Sequence, residues 1–295
     1  MRRVLLILTL ALLPHLLGAQ VLPLLYSPTD ARSAALGGSG VALAADASAL
    51  DNNLSATVLS PNHFAIGAAY QYWAPKPAAD HRLSLGGWWR RGRWAIGLSA
   101  KGMLAPQIAQ TSDSGAPLDS FSPYDLSVAL GGAWSPAPGF SLSAAARLIS
   151  SVLDAATRGT TVCADLGLSY VSHAFQAGVS VANLGGRIRY GNADYALPAL
   201  LRAGASYTHP VFSLTAEADY LFGSALMACA GAEVRPVPLL ALRAGYHYGA
   251  ADKGLPSFGS CGIGLNLQGF VLNAAYLFGS PTLGGSLSIG MGYSF

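Results

Sequence analysis

Residues 284–295 read Gly284-Gly285-Ser286-Leu287-Ser288-Ile289-Gly290-Met291-Gly292-Tyr293-Ser294-Phe295, and their alternation decides the fold. Leu287, Ile289, Met291, Tyr293 and Phe295 take every second position, with Ser and Gly between them. Side chains alternate across a strand, so the stretch has one apolar face and one small polar face. Exposed to water, such a strand is an adhesive edge. In a closed barrel within a bilayer it has a partner on each side, and its apolar face meets lipid.

The same period of two governs the chain from His63 to Phe295. Phe64, Ile66, Ala68, Tyr70 and Tyr72 alternate with Ala65, Gly67, Ala69 and Gln71; Leu126, Val128 and Leu130 repeat the pattern, as do Phe212, Leu214, Ala216, Ala218, Tyr220 and Phe222. Counting such faces predicts an all-β chain, a transmembrane antiparallel β-barrel of about fourteen strands over 63–295, within the even-numbered bacterial range. Aromatics stand at the ends of the apolar faces, as in Trp89 and Trp94, Tyr207 and Phe212, or Tyr276 and Phe278. Two interfacial girdles require that placement, and a soluble sandwich does not. Connections alternate in length too. Arg91-Gly92, His209-Pro210 and Gln268-Gly269 are tight, whereas 103–121, 150–159, 184–195 and 249–256 are longer, which assigns tight turns to the periplasm and long loops to the outside.

Composition agrees. Of 295 residues, 52% are hydrophobic and only 11% charged, against roughly 25% charged in a soluble domain. Arg2-Arg3, the apolar run Val4 to Leu17 and Gly18-Ala19 read as an export signal over 1–19. Without those two arginines the chain has 15 basic residues (17 minus 2) against 14 acidic. That balance gives no support to a nucleic-acid partner. Cys163, Cys229 and Cys261 are an odd count with no metal-ligand spacing, and read as free, buried thiols.

Residues 20–62 lack the alternation and read as an N-terminal plug or periplasmic segment. The run Asp30-Ala31-Arg32-Ser33-Ala34-Ala35-Leu36-Gly37-Gly38-Ser39-Gly40 leads to Asp46-Ala47-Ser48-Ala49-Leu50-Asp51-Asn52-Asn53. Gly38-Ser39-Gly40 lacks the third glycine and the preceding strand of a phosphate-binding loop. The run resembles the N-terminal motif of the PorV/PorQ family, FadL-type barrels of the Bacteroidetes phylum. In that family an Ala-Arg, a Met/Leu-Gly-Gly and an acidic-Ala-Ser/Thr run precede Asn-Pro-Ala; here Leu54-Ser55 replaces Pro-Ala after Asn53. The C-terminal Phe295 likewise resembles the sorting signal of bacterial outer-membrane barrels. The resemblance implies a fourteen-strand barrel in the outer membrane, with the N-terminal segment entering the lumen. It also implies an accessory role in type IX protein secretion or surface attachment, with exported or surface proteins as partners. The alternative is a FadL-type channel for small hydrophobic solutes. Arg32 and Asp46 are the expected plug contacts.

The lumen face is mostly Gly, Ala and Ser, with Arg82, Arg147, Asp165, Arg202, Glu217, Asp219, Glu233 and Arg243 as its candidate charges. Arg90, Lys101 and Asp125 share that face. Charges of both signs beneath a hydrocarbon belt are expected to pair. No Gly-x-Ser-x-Gly or His-Glu-x-x-His occurs, so the reading is a non-enzyme without a cofactor, whose partner beyond protein is outer-membrane lipid. The longest interruption of the strand pattern, 103–122, carries Leu104, Ile108, Leu118 and Phe121. Loops of that length are usually functional or disordered, and these four are the candidate partner contacts.

Overall fold

The computed structural model describes residues 22–75, 78–112, 114–115, 119–154, 157–250 and 253–295. The leader expected over 1–19 and Leu118 of the outer loop lie outside them. Sixteen strands follow in chain order: β1 Phe64–Trp73, β2 Asp80–Arg91, β3 Trp94–Leu104, β4 Tyr124–Ala137, β5 Phe140–Val152, β6 Arg158–Ser172, β7 Phe175–Leu184 and β8 Arg187–Tyr190. The rest are β9 Ala193–Ala196, β10 Leu200–Thr208, β11 Phe212–Leu221, β12 Ala225–Val237, β13 Leu240–Tyr248, β14 Phe258–Leu267, β15 Phe270–Phe278 and β16 Leu287–Ser294. Fourteen of them close an antiparallel barrel in sequence order, while β8 and β9 pair only with each other as a hairpin between β7 and β10.

Closure falls on the stretch with the clearest alternation. β16 pairs with β1 from Ala65↔Ser294 to Tyr72↔Leu287. The Phe295 carbonyl accepts the backbone N–H of His63 at 2.6 Å and of Phe64 at 3.0 Å. The sheet therefore has no free edge, which a spanning β-structure needs because lipid offers its backbone no partners. Leu287, Ile289 and Met291 point outward and are 42%, 51% and 65% exposed. The belt is thus their solvent, and no protein core covers them.

Aromatics rim this belt. At the end with the tight turns, Trp94 stacks on Trp134 at 5.7 Å, Phe270 meets Tyr293 at 4.6 Å and Phe64 meets Phe295 at 5.4 Å. At the other end Tyr220 packs edge-on against Phe222 at 5.2 Å. Trp73 and Trp88 depart from the pattern by facing the lumen, both 3% exposed. Pro136 and Pro236 sit in β4 and β12 at register shifts beside the tight turns, where a bulge spares the ladder a missing donor. Cys163 and Cys229 are buried in the lumen, but Cys261 is exposed on the lipid face, so the expectation of three buried thiols fails there. Strand parity turns it outward.

The protein core is the lumen. The N-terminal segment fills it with a 3-10 turn Pro23–Leu25, helix α1 Ala31–Ala35, helix α2 Ala49–Asn52 and a second 3-10 turn Leu54–Leu59. These pieces are too short to be stable alone and hold through packing. Asp30 caps α1 by accepting the Ser33 N–H at 2.8 Å. The segment runs the length of the lumen. Leu22 and Leu25 pack at the outer end with Ile149, Cys163, Ile188, Tyr190 and Leu197, and the chain descends to His63 at the tight-turn end.

Candidate functional site: the lumen and its N-terminal segment

Each lumen charge stands at an inward strand position, and parity alone puts it there. Their pairings differ. Arg147 Nη2 meets Asp165 at 2.9 Å and its Nη1 reaches Asp51 of α2 at 3.0 Å. Lys101 approaches the same Asp51 oxygen at 3.4 Å. Burial pushes the Asp51 carboxyl up, but Lys101 and Arg147 outweigh it and hold the group below the usual carboxylate range. Glu233 gathers Arg243 at 2.6 Å, Arg235 at 2.7 Å and Arg32 of α1 at 3.8 Å. Arg82 donates to Ser27 of the N-terminal segment and lies 4.4 Å over the Trp73 ring.

Glu217 binds backbone. Its Oε2 accepts the N–H groups of Gly40 and Val41 at 2.7 and 2.9 Å, while Arg202 stands 3.9 Å from its Oε1. Asp219 follows on the same strand face. The structure therefore brings Arg82, Arg147, Asp165, Arg202, Glu217, Glu233 and Arg243 into contact with the segment or with one another.

Of the two expected plug contacts, Arg32 reaches Glu233, Asp46 at 3.6 Å and the Ala44 carbonyl at 3.1 Å. The Asp46 carboxylate stays within the segment, on Ser48 and Arg32. Its carbonyl accepts the Trp88 indole N–H at 2.7 Å.

Among the contacts that sequence reading did not single out, two anchor the middle of the segment. One is Asp51. The other is Asn53, whose Nδ2 donates to the carbonyls of Val41 at 3.1 Å and Leu168 at 3.0 Å and to Ser169 Oγ at 3.1 Å. Asn53 fell inside the quoted motif, which was the available signal.

The lumen has two characters along its axis. Toward its outer end the wall carries an apolar cluster: Trp73, Leu200, Leu221, Met227, Phe258 and Leu277 pack on Tyr26, Leu255 and Leu283, with Arg82 over the Trp73 ring and Asp219 beside Met227 at its edge. His247 Nδ1 donates to the Gly37 carbonyl, 3.2 Å away, and the ring stacks on Phe258 at 5.0 Å. The inner half contains a cavity of about 290 Å³ between the segment and the β12–β2 wall, lined by Arg32, Asp46, Glu233, Arg235, Arg243 and Asn273 among small residues. Outside the barrel, Leu104 and Ile108 are exposed and Phe121 half-buried. Ile108 and Phe121 pair by backbone hydrogen bonds of 2.7 and 3.1 Å.

A closed fourteen-strand barrel with a lipid-facing belt and a chain segment within its lumen is a multi-pass outer-membrane protein of FadL-like architecture. Among solved structures it is similar to the Pseudomonas putida toluene transporter TodX, with a TM-score of 0.68 at 14% identity over 91% of this chain and 98% of that one. It is also similar to the Ralstonia pickettii toluene transporter TbuX (TM-score 0.65, 14% identity, 91% and 98% covered). A Pseudomonas aeruginosa FadL homologue gives a TM-score of 0.55 at 13% identity, over 91% and 95%. No protein-family model matches the chain, and no curated protein does. The likeness is one of fold.

Proposed function

We propose that this protein is a channel for small hydrophobic solutes across the outer membrane, with residues 22–62 as its gate. The observation that carries the reading is the apolar cluster toward the outer end of the lumen, where Trp73, Leu221, Phe258 and Leu277 face inward. Barrel interiors are ordinarily polar. An apolar interior accepts a solute that water rejects, by exchanging segment contacts for solute contacts at little cost in transfer free energy. The fold likeness to the two toluene transporters supports the same class of solute. Below it the cavity beside Glu233 and Arg243 is lined by charged side chains, so a solute released there is passed toward a polar exit. The test is uptake of a radiolabelled monoaromatic hydrocarbon by cells lacking other such channels. Expression should raise arene uptake and leave uptake of a hydrophilic sugar unchanged; equal uptake of arene with and without the protein contradicts the reading.

A second reading keeps the secretion role that the motif in 30–53 suggests. Exposed Leu104 and Ile108 on a loop pinned by the Ile108–Phe121 pairing favour it, since they offer an apolar rim to an exported protein. Replacing the loop with a tight turn separates the two: loss of a co-purifying protein with arene uptake intact supports docking, and altered uptake alone supports the channel.

A further inference from the structure

We propose that Glu217, Asp219 and Cys229 form a site for a divalent cation of the zinc class inside the lumen. Glu217 and Asp219 stand two positions apart on the inner face of β11, and Cys229 is the register partner of Glu217 on β12. One oxygen from each acid and the Cys229 Sγ lie within 4.8 Å of one another. All three residues are buried. Sequence spacing hides the set, because it is assembled across two strands.

The protein leaves this cluster unsatisfied. Glu217 Oε2 is taken by Gly40 and Val41, but Glu217 Oε1 and Asp219 Oδ1 are buried with no hydrogen-bond partner. Arg202 faces them at 3.9 Å from Glu217 Oε1, with its own Nε unpartnered. His247, the register partner of Cys229 on its other side, turns its Nδ1 to Gly37. Two carboxylates against one guanidinium leave a net negative charge away from water, which is costly.

A divalent ion closes the charge count once Cys229 gives its thiol proton to solvent. Three negative ligands then face two charges on the ion and one on Arg202. A thiolate beside carboxylates suits zinc, whereas calcium and magnesium take oxygen donors alone. Zinc bonds of about 2.0–2.3 Å put tetrahedral ligand atoms roughly 3.5 Å apart, so the side chains close by about an ångström on binding. Ser39 Oγ, 3.3 Å from Cys229 Sγ, is placed to follow as a fourth ligand. Because Glu217 also holds the Gly40 and Val41 amides, the ion fastens the gate to the wall.

The test uses the full chain in detergent, stripped with a chelator and titrated with cobalt as a zinc surrogate. Wild type should take up cobalt stoichiometrically and show a thiolate-to-cobalt charge-transfer band. Cys229→Ser should lose the band, and Asp219→Asn should weaken affinity by at least about tenfold. Cys163→Ser should match wild type, and heat-modifiable gel mobility confirms that each variant is a closed barrel. A wild type without the band, or a Cys229→Ser protein with unchanged cobalt affinity, overturns the proposal. In the first case a proton shared by Glu217 and Asp219 balances the charge.

Discussion

Arg147 on β5 donates from Nη1 to Asp51 of α2 at 3.0 Å, and this pair ties the N-terminal segment to the wall at mid-lumen. Lys101 completes the contact from β3. Asp51→Asn leaves Lys101 without its ion-pair partner and Arg147 with Asp165 alone, and removing one partner of a buried pair costs about 3–5 kcal/mol. The barrel should persist, because its strands and girdles specify it without the segment. Ion conductance in planar bilayers should rise, and protease should reach residues 22–62. Unchanged conductance and protection would mean the ion pairs do not seat the segment.

Acid should release the same contact. Asp51 is held below the ordinary carboxylate range when folded. A group with a lowered folded value contributes stability above its unfolded value of about 4 and loses it as pH falls through the folded value. Conductance should therefore stay flat from neutral pH down to about 4 and climb only below that. The Asp51→Asn protein should lack the step. A transition near neutral pH would point to another group.

Gly245 on β13 lets the backbone of Leu36 and Gly37 lie directly on the wall, and a Cβ there would overlap both. Gly245→Val keeps a strand-forming residue while forbidding that approach. The variant should assemble, show normal heat-modifiable mobility and conduct more than wild type. Normal closure in this variant would contradict the packing.

The barrel was legible because the period of two reports the side chain's face whether lipid or protein lies beyond it. Leu287, Ile289 and Met291 needed no tertiary knowledge. Elements outside that rule were not legible. The connection 184–195 read as a longer outer loop, yet it holds the hairpin of β8 and β9, in which Ile188 is fully buried and Tyr190 nearly so, because the hairpin folds in over Leu22 and Leu25. Trp73 and Trp88 face the lumen, where parity places them opposite the outward Tyr72 and Trp89. Arg32 was found from its motif. Asp51 was not, since a single acid in a four-residue helix gives no sign of the two cations waiting on β3 and β5. The Glu217–Asp219–Cys229 grouping depends on register between strands, which the sequence does not print.

Ile289 faces lipid between the girdles, 51% exposed. Arginine near the mid-plane on a lipid face costs about 2–4 kcal/mol, so Ile289→Arg should lower the unfolding free energy in urea by that amount in lipid vesicles. A change within about 0.5 kcal/mol, the usual range at a water-exposed surface, would contradict the assigned belt.

The gate is tested most directly by fastening it. A Cβ placed at Gly290 on β16 would stand 3.7 Å from the Cβ of Ala31 in α1, within the roughly 3.5–4.5 Å that a disulfide spans. The double variant Ala31→Cys/Gly290→Cys, with Cys261→Ser to remove the exposed thiol, is assayed for arene uptake before and after reduction. Uptake that is blocked when oxidised and restored by reductant is the expected result. Equal uptake in both states, with the cross-link verified by mass spectrometry, would contradict the claim that solute passes only when the segment moves.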